Sequence, residues 1–103
     1  MSDIPLPEDP VVRELLPEFV DDWIRQLDED FPSIFAAKDA AAMRRFGHTI
    51  KGSCFQFGLP HIAELGIQLM RLAEEQQWEQ IEPMREQIRE EFVKVKQALG
   101  SQG

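Results

Sequence analysis

The sequence predicts an all-α fold, an antiparallel up-down four-helix bundle with a short N-terminal helix or arm, and three observations carry that prediction. Apolar residues recur at three- and four-residue spacing in four successive stretches. No stretch shows the β-branched alternation of a strand, and no internal period repeats. The segments between the stretches are short, which makes consecutive helices antiparallel neighbours.

Taken in order, residues 1–10 read as a disordered or loosely docked arm, in which Pro5, Pro7 and Pro10 block regular structure. From Val11 the apolar positions Leu16, Val20, Trp23, Leu27, Phe31 and Ile34 define a first long helix, with a short helix before it. Pro17 suits a first-turn position, and Pro32 predicts a kink or break near Phe31. A second helix starts at "KDAAAMRRF", with Asp39 as N-cap, and runs to about Phe57. The "GLP" that follows reads as a tight turn, Gly58 stopping one helix and Pro60 standing at the first position of the next. The third helix aligns Ile62, Leu65, Leu69 and Leu72; the last runs from Glu79 or Pro83 to Leu99 and ends at Gly100. The domain thus spans 11–100, with 101–103 as a tail; both ends read as those of a free-standing chain, and a single compact bundle is expected to be a monomer.

At 103 residues, the chain has room for one domain. With 19 acidic against 11 basic side chains and a net charge of −8, it is not built to bind a phosphate backbone, so nucleic acid is not an expected partner. The lone Cys54 has no internal disulfide partner and suits a reducing compartment, the cytoplasm. The acidic, proline-rich start lacks the basic and apolar regions of a signal peptide, and no apolar run reaches membrane-spanning length.

The second helix carries the chemistry. At 100° per residue, Met43, Phe46, Ile50, Cys54 and Phe57 share a stripe roughly 80° wide that must face the core, and His48 lies about 160° from its centre. His48 therefore points to water. Arg44, Lys51 and Phe55 flank it at four-, three- and seven-residue spacing, with Arg45 adding to the basic flank, and Gly52 follows one turn on. A glycine inside a helix costs about 1 kcal/mol relative to alanine. Close helix packing explains Gly47, near the core stripe, but not Gly52, which faces solvent. An outward histidine, a gap in the surface beside it, a lysine one turn away and an exposed aromatic together fit a nucleophile that takes a phosphoryl group from a docked partner.

The stretch "HTIKGSCFQFG" resembles the signature of histidine-containing phosphotransfer (HPt) domains, His-x-(Leu/Ile)-Lys-Gly-(Ser/Ala) with a further glycine ten positions after the histidine, here His48, Ile50, Lys51, Gly52, Ser53 and Gly58. The four-helix layout extends the resemblance over about 11–99. It implies a phosphorelay intermediate: His48 takes a phosphoryl group from the aspartyl phosphate of one receiver domain and passes it to the aspartate of another. Lys51 would bind the phosphoryl oxygens and Gly52 would admit the receiver's loops, with Phe55, Arg44 and Arg45 completing the docking face. The implied partners are response-regulator receivers and a hybrid sensor histidine kinase. No cofactor is expected on this chain, magnesium belonging to the receiver, and the chain is expected to be a phosphocarrier rather than an ATP-using kinase. One departure stands out: several family members carry a glutamine that orients the imidazole twenty-two residues after the histidine, and here that position is Met70, with Gln68 projecting from another side.

Three other readings bear on this motif and its neighbours. His61 lacks the following lysine and glycine, having Glu64 and Leu65 instead, and reads as a surface residue. A metal site made of His48, Cys54 and His61 is disfavoured because His48 and Cys54 occupy different faces. A helical adapter that binds a receiver or another signalling protein without transferring phosphate would use the same outer face. Simple docking, however, requires no nucleophile. The glutamates of the last two helices, with Arg85 and Arg89 among them, read as solvated faces.

Overall fold

The computed structural model describes residues 6–101 and contains four helices, with no strand among the described residues. Of the segments read as arm and tail, residues 1–5 and 102–103 lie outside the described residues. Helix α1 spans Pro10–Ala37, α2 Ala40–Gln56, α3 Pro60–Glu74 and α4 Trp78–Ser101. Their inward stripes meet in one core, where Leu16, Val20, Leu27, Met43, Ile50, Leu69, Ile88 and Phe92 are wholly buried. Trp23 anchors its middle, edge-on to Phe46 and parallel to Phe92.

Several expected boundaries move, and in α1 and α4 they move in favour of a longer helix. Pro10 opens α1 rather than belonging to the arm: its missing N–H falls where a helix has no use for one, and the Asp9 carboxylate accepts from the Val11 N–H at 2.9 Å. Pro17 and Pro32 both lie inside this single 28-residue helix, with neither a separate first helix nor a break at Phe31. Both rings sit on the exposed side, where water can satisfy the carbonyl each leaves without a donor. The buried residues on the opposite side hold the helix together across them. Likewise α4 starts at Trp78, contains Pro83 and passes through Gly100.

The three connections share one geometry. In each, a residue just past the helix takes a left-handed conformation: Lys38, directly after α1, with φ 52°, and Gly58 and Gln76, two positions after the last residues of α2 and α3, with 73° and 53°. The following N–H then reaches back to a carbonyl of the last turn: Asp39 to Ile34, Leu59 to Cys54 and Gln77 to Leu72. This is the Schellman arrangement, which satisfies orphan carbonyls and turns the chain sharply. Gly58 adopts it without strain. Lys38 is not a glycine, but its ammonium lies 3.6 Å from the centre of the Phe35 ring and 5.3 Å from that of Trp78, so cation–π attraction offsets the strain. The arm packs on the second turn, since a β-carbon on Gly58 would come within 3.1 Å of the Pro7 ring.

Candidate functional site

Asp39 fixes the start of α2, its carboxylate accepting from the Ala42 N–H at 3.0 Å. From there, helical periodicity determines which residues reach the surface. Met43, Ile50 and Cys54 are wholly buried and Phe46 nearly so, while His48, Gly52 and Phe55 are exposed, Phe55 by 50%. The last residue of the expected stripe, Phe57, is half-buried and stacks on Phe19 with ring centres 3.9 Å apart.

The two glycines of α2 have different surroundings. A β-carbon on Gly47 would lie 2.7 Å from the Gly66 carbonyl oxygen, 3.0 Å from the Met70 nitrogen and 3.1 Å from Met70 Cγ. One on Gly66 would lie 2.7 Å from the Gly47 carbonyl oxygen and 2.8 Å from the Lys51 nitrogen. The pair lets α2 and α3 touch backbone to backbone and holds α3 immediately beside His48. A β-carbon on Gly52, by contrast, would meet nothing within 4 Å. The helix is therefore bare on its outer side next to the histidine.

Between α2 and α3, with Lys51 on one wall, lies a groove of about 270 Å³ lined also by Ile67, Met70, Arg71 and Glu74. Met70 sits over Gly47 and offers the imidazole no amide; among the described residues no side chain hydrogen-bonds His48. Gln68 is exposed, while Met70 is half-buried against α2. The expected basic flank divides in two. The Arg44 Nε donates to Glu74 Oε1 at 2.8 Å, so this cation is already matched, whereas Arg45 and Lys51 make no ion pair among the described residues. Glu74 and Arg71 were not expected at the site from the sequence. The signal was their position on α3, four residues and one residue beyond Met70, but it can be read only once α3 is known to lie against Gly47.

The remaining candidates separate from this cluster. Gly58 and Pro60 shape the α2–α3 turn, with Pro60 at the first position of α3. Cys54 is wholly buried, and burial pushes its thiol up to about 12, so it offers neither a thiolate nor a ligand to anything bound near the exposed His48. His61 is not a plain surface residue. Its Nε2 is buried without a hydrogen bond and faces Glu91 Oε1 at 3.4 Å, joining the start of α3 to α4.

Arg85 and Arg89 also depart from the solvated face expected of them: both reach across to Asp28 of α1, Arg89 through two bonds of 2.8 and 3.2 Å. The helices are amphipathic, and among the described residues none is long and apolar enough to cross a membrane.

No curated protein and no solved structure gives a match, but the Hpt domain family matches residues 11–98, a span that covers α2 and α3 whole and nearly all of α1 and α4. The chain therefore belongs to the Hpt domain family, helical bundles that carry phosphoryl groups on histidine in phosphorelays and interact with receiver domains.

Proposed function

We propose that this chain is a phosphorelay carrier in which His48 is the phosphoacceptor, loaded by the aspartyl phosphate of one receiver domain and discharged onto the aspartate of another. The observation that supports it most is the empty space over Gly52 beside an exposed imidazole, on a helix whose other glycine is filled by a neighbour. A helix gives up side-chain cover and about 1 kcal/mol of propensity at Gly52, and close approach by a partner's loops is what that opening accommodates.

In the transfer, a lone pair of the neutral imidazole attacks phosphorus as the phosphorus–oxygen bond of the acyl phosphate breaks and the aspartate carboxylate leaves. The new bond is nitrogen–phosphorus, and discharge is the reverse reaction on a second receiver. Lys51, one turn from His48, meets the charge on the transferring oxygens, where a fixed cation acts most directly on a loose phosphoryl transition state. Phe55 supplies apolar contact to the receiver and Arg45 a rim charge. Magnesium is held by the receiver, and a hybrid sensor kinase is the natural upstream donor.

Incubation with radiolabelled phospho-receivers tests this directly. The wild-type chain should acquire acid-labile label and His48→Gln none, with the helical circular dichroism of the two unchanged. Receiver binding without label on the wild type would leave an adapter, and equal label on His48→Gln would refute the assignment.

A further inference from the structure

Two cations with no carboxylate partner among the described residues line the groove between α2 and α3: Lys51, one turn beyond His48 on α2, and Arg71 on α3. A third cation, Arg44, is held by Glu74, which lines the same groove. The groove therefore carries two uncompensated positive charges, which match the roughly −2 charge of a phosphoryl group. Its volume of about 270 Å³ also leaves room for such a group, liquid water taking about 30 Å³ per molecule. The close approach of Gly47 and Gly66 places Met70 directly against the residue before His48, and Arg71 is the next residue on α3.

We propose that Arg71 is a second phosphoryl-binding cation, closing on phosphorylated His48 from α3 while Lys51 holds the same group from α2. This rests on the reading of His48 as phosphoacceptor and extends it to a residue outside the helix that carries the motif. Arginine suits the task because its planar fork meets two phosphoryl oxygens at once. Arg44 does not compete for the role: releasing it would leave the Glu74 carboxylate unpaired and facing the phosphoryl charge. With Met70 in place of an amide, the phosphoryl oxygens rather than the imidazole become the point at which α3 holds the modified side chain.

The test uses the whole chain, labelled with ¹⁵N and phosphorylated by phosphoramidate. In that reaction the donor's phosphorus–nitrogen bond breaks, ammonia leaves and the imidazole nitrogen takes the phosphoryl group. The Nε–Hε signal of Arg71, assigned by its absence from Arg71→Lys, should shift and exchange more slowly with water once phosphohistidine forms, and return as it hydrolyses. The corresponding Arg44 signal should stay in place. An Arg71 signal that stays unchanged while ³¹P spectra show phosphohistidine at position 48 would overturn the proposal and leave the phosphoacceptor reading intact. A phosphohistidine resonance equally strong in His48→Gln would instead remove the reading on which the proposal rests.

Discussion

Gly47 and Gly52 lie five residues apart on one helix, and they are glycines for opposite reasons. At Gly47 the missing side chain is replaced by the backbone of α3, whose Gly66 carbonyl oxygen would be 2.7 Å from an added β-carbon. At Gly52 nothing in the chain comes within 4 Å of that position. The first glycine serves the fold and the second leaves a surface open. A helix can show from its own packing which of its small residues are structural, and the one left unexplained marks where another molecule is to be expected.

The largest effect should follow from closing the buried position. Gly47→Ala places a methyl group against backbone atoms that no rotamer change can move, and overpacking of this kind costs about 1–3 kcal/mol, offset only in part by alanine's better helix propensity. The urea midpoint should fall, and Gly66→Ala should behave alike because the contact is mutual. A Gly47→Ala chain as stable as the wild type would mean that the two helices can separate freely, and the contrast with Gly52 would collapse.

Gly52→Ala should act in the other direction, raising stability by about 0.5–1 kcal/mol because the new methyl group meets open space. Transfer from a phospho-receiver should nonetheless slow, and slow further in Gly52→Gln, whose longer side chain would fill the opening proposed to admit the partner's loops. Gain of stability with loss of transfer is the signature of a surface kept open for function. Transfer rates unchanged in Gly52→Gln would place the receiver elsewhere on the bundle.

Much of this contrast could be read from the sequence. Periodicity placed Met43, Phe46, Ile50 and Cys54 inside and His48, Gly52 and Phe55 outside, because a helix converts spacing into direction with little interference from the rest of the fold. The first-turn place read for Pro17 and the break allowed at Pro32 were misleading. The effect of a proline on a helix depends on whether the freed carbonyl faces water, and at Pro17 and Pro32 that is decided by how the bundle packs around them. Lys38 and Gln76 gave no sign of their left-handed turns, since only Gly58 carries the residue type that advertises one. Contacts between helices were the least legible part. The Arg44–Glu74 pair spans thirty positions in the sequence, and nothing local to either residue announces the other.

The opposite side of the bundle sharpens the comparison with the smallest effect. Where α2 and α3 meet through glycines, α1 and α4 are tied by charge, Asp28 receiving Arg89 in two hydrogen bonds and Arg85 in a third. The Arg89 hydrogen bond, with the positive charge of both arginines, holds the Asp28 carboxyl below its ordinary range. Because the folded state favours the ionised form, the stabilisation is complete above the ordinary carboxylate range and is lost as pH falls through the lowered folded value. The side chains are about a third exposed, so screening keeps the contribution under about 1 kcal/mol. Asp28→Asn should therefore lower the urea midpoint slightly at about pH 7, and the difference from wild type should shrink towards zero at about pH 2. Phosphotransfer should be untouched, since Asp28 lies on α1 and the residues proposed to meet a receiver lie on α2. A large loss of stability from Asp28→Asn, comparable to that from Gly47→Ala, would mean that charge and not the glycine contact sets how closely these four helices pack.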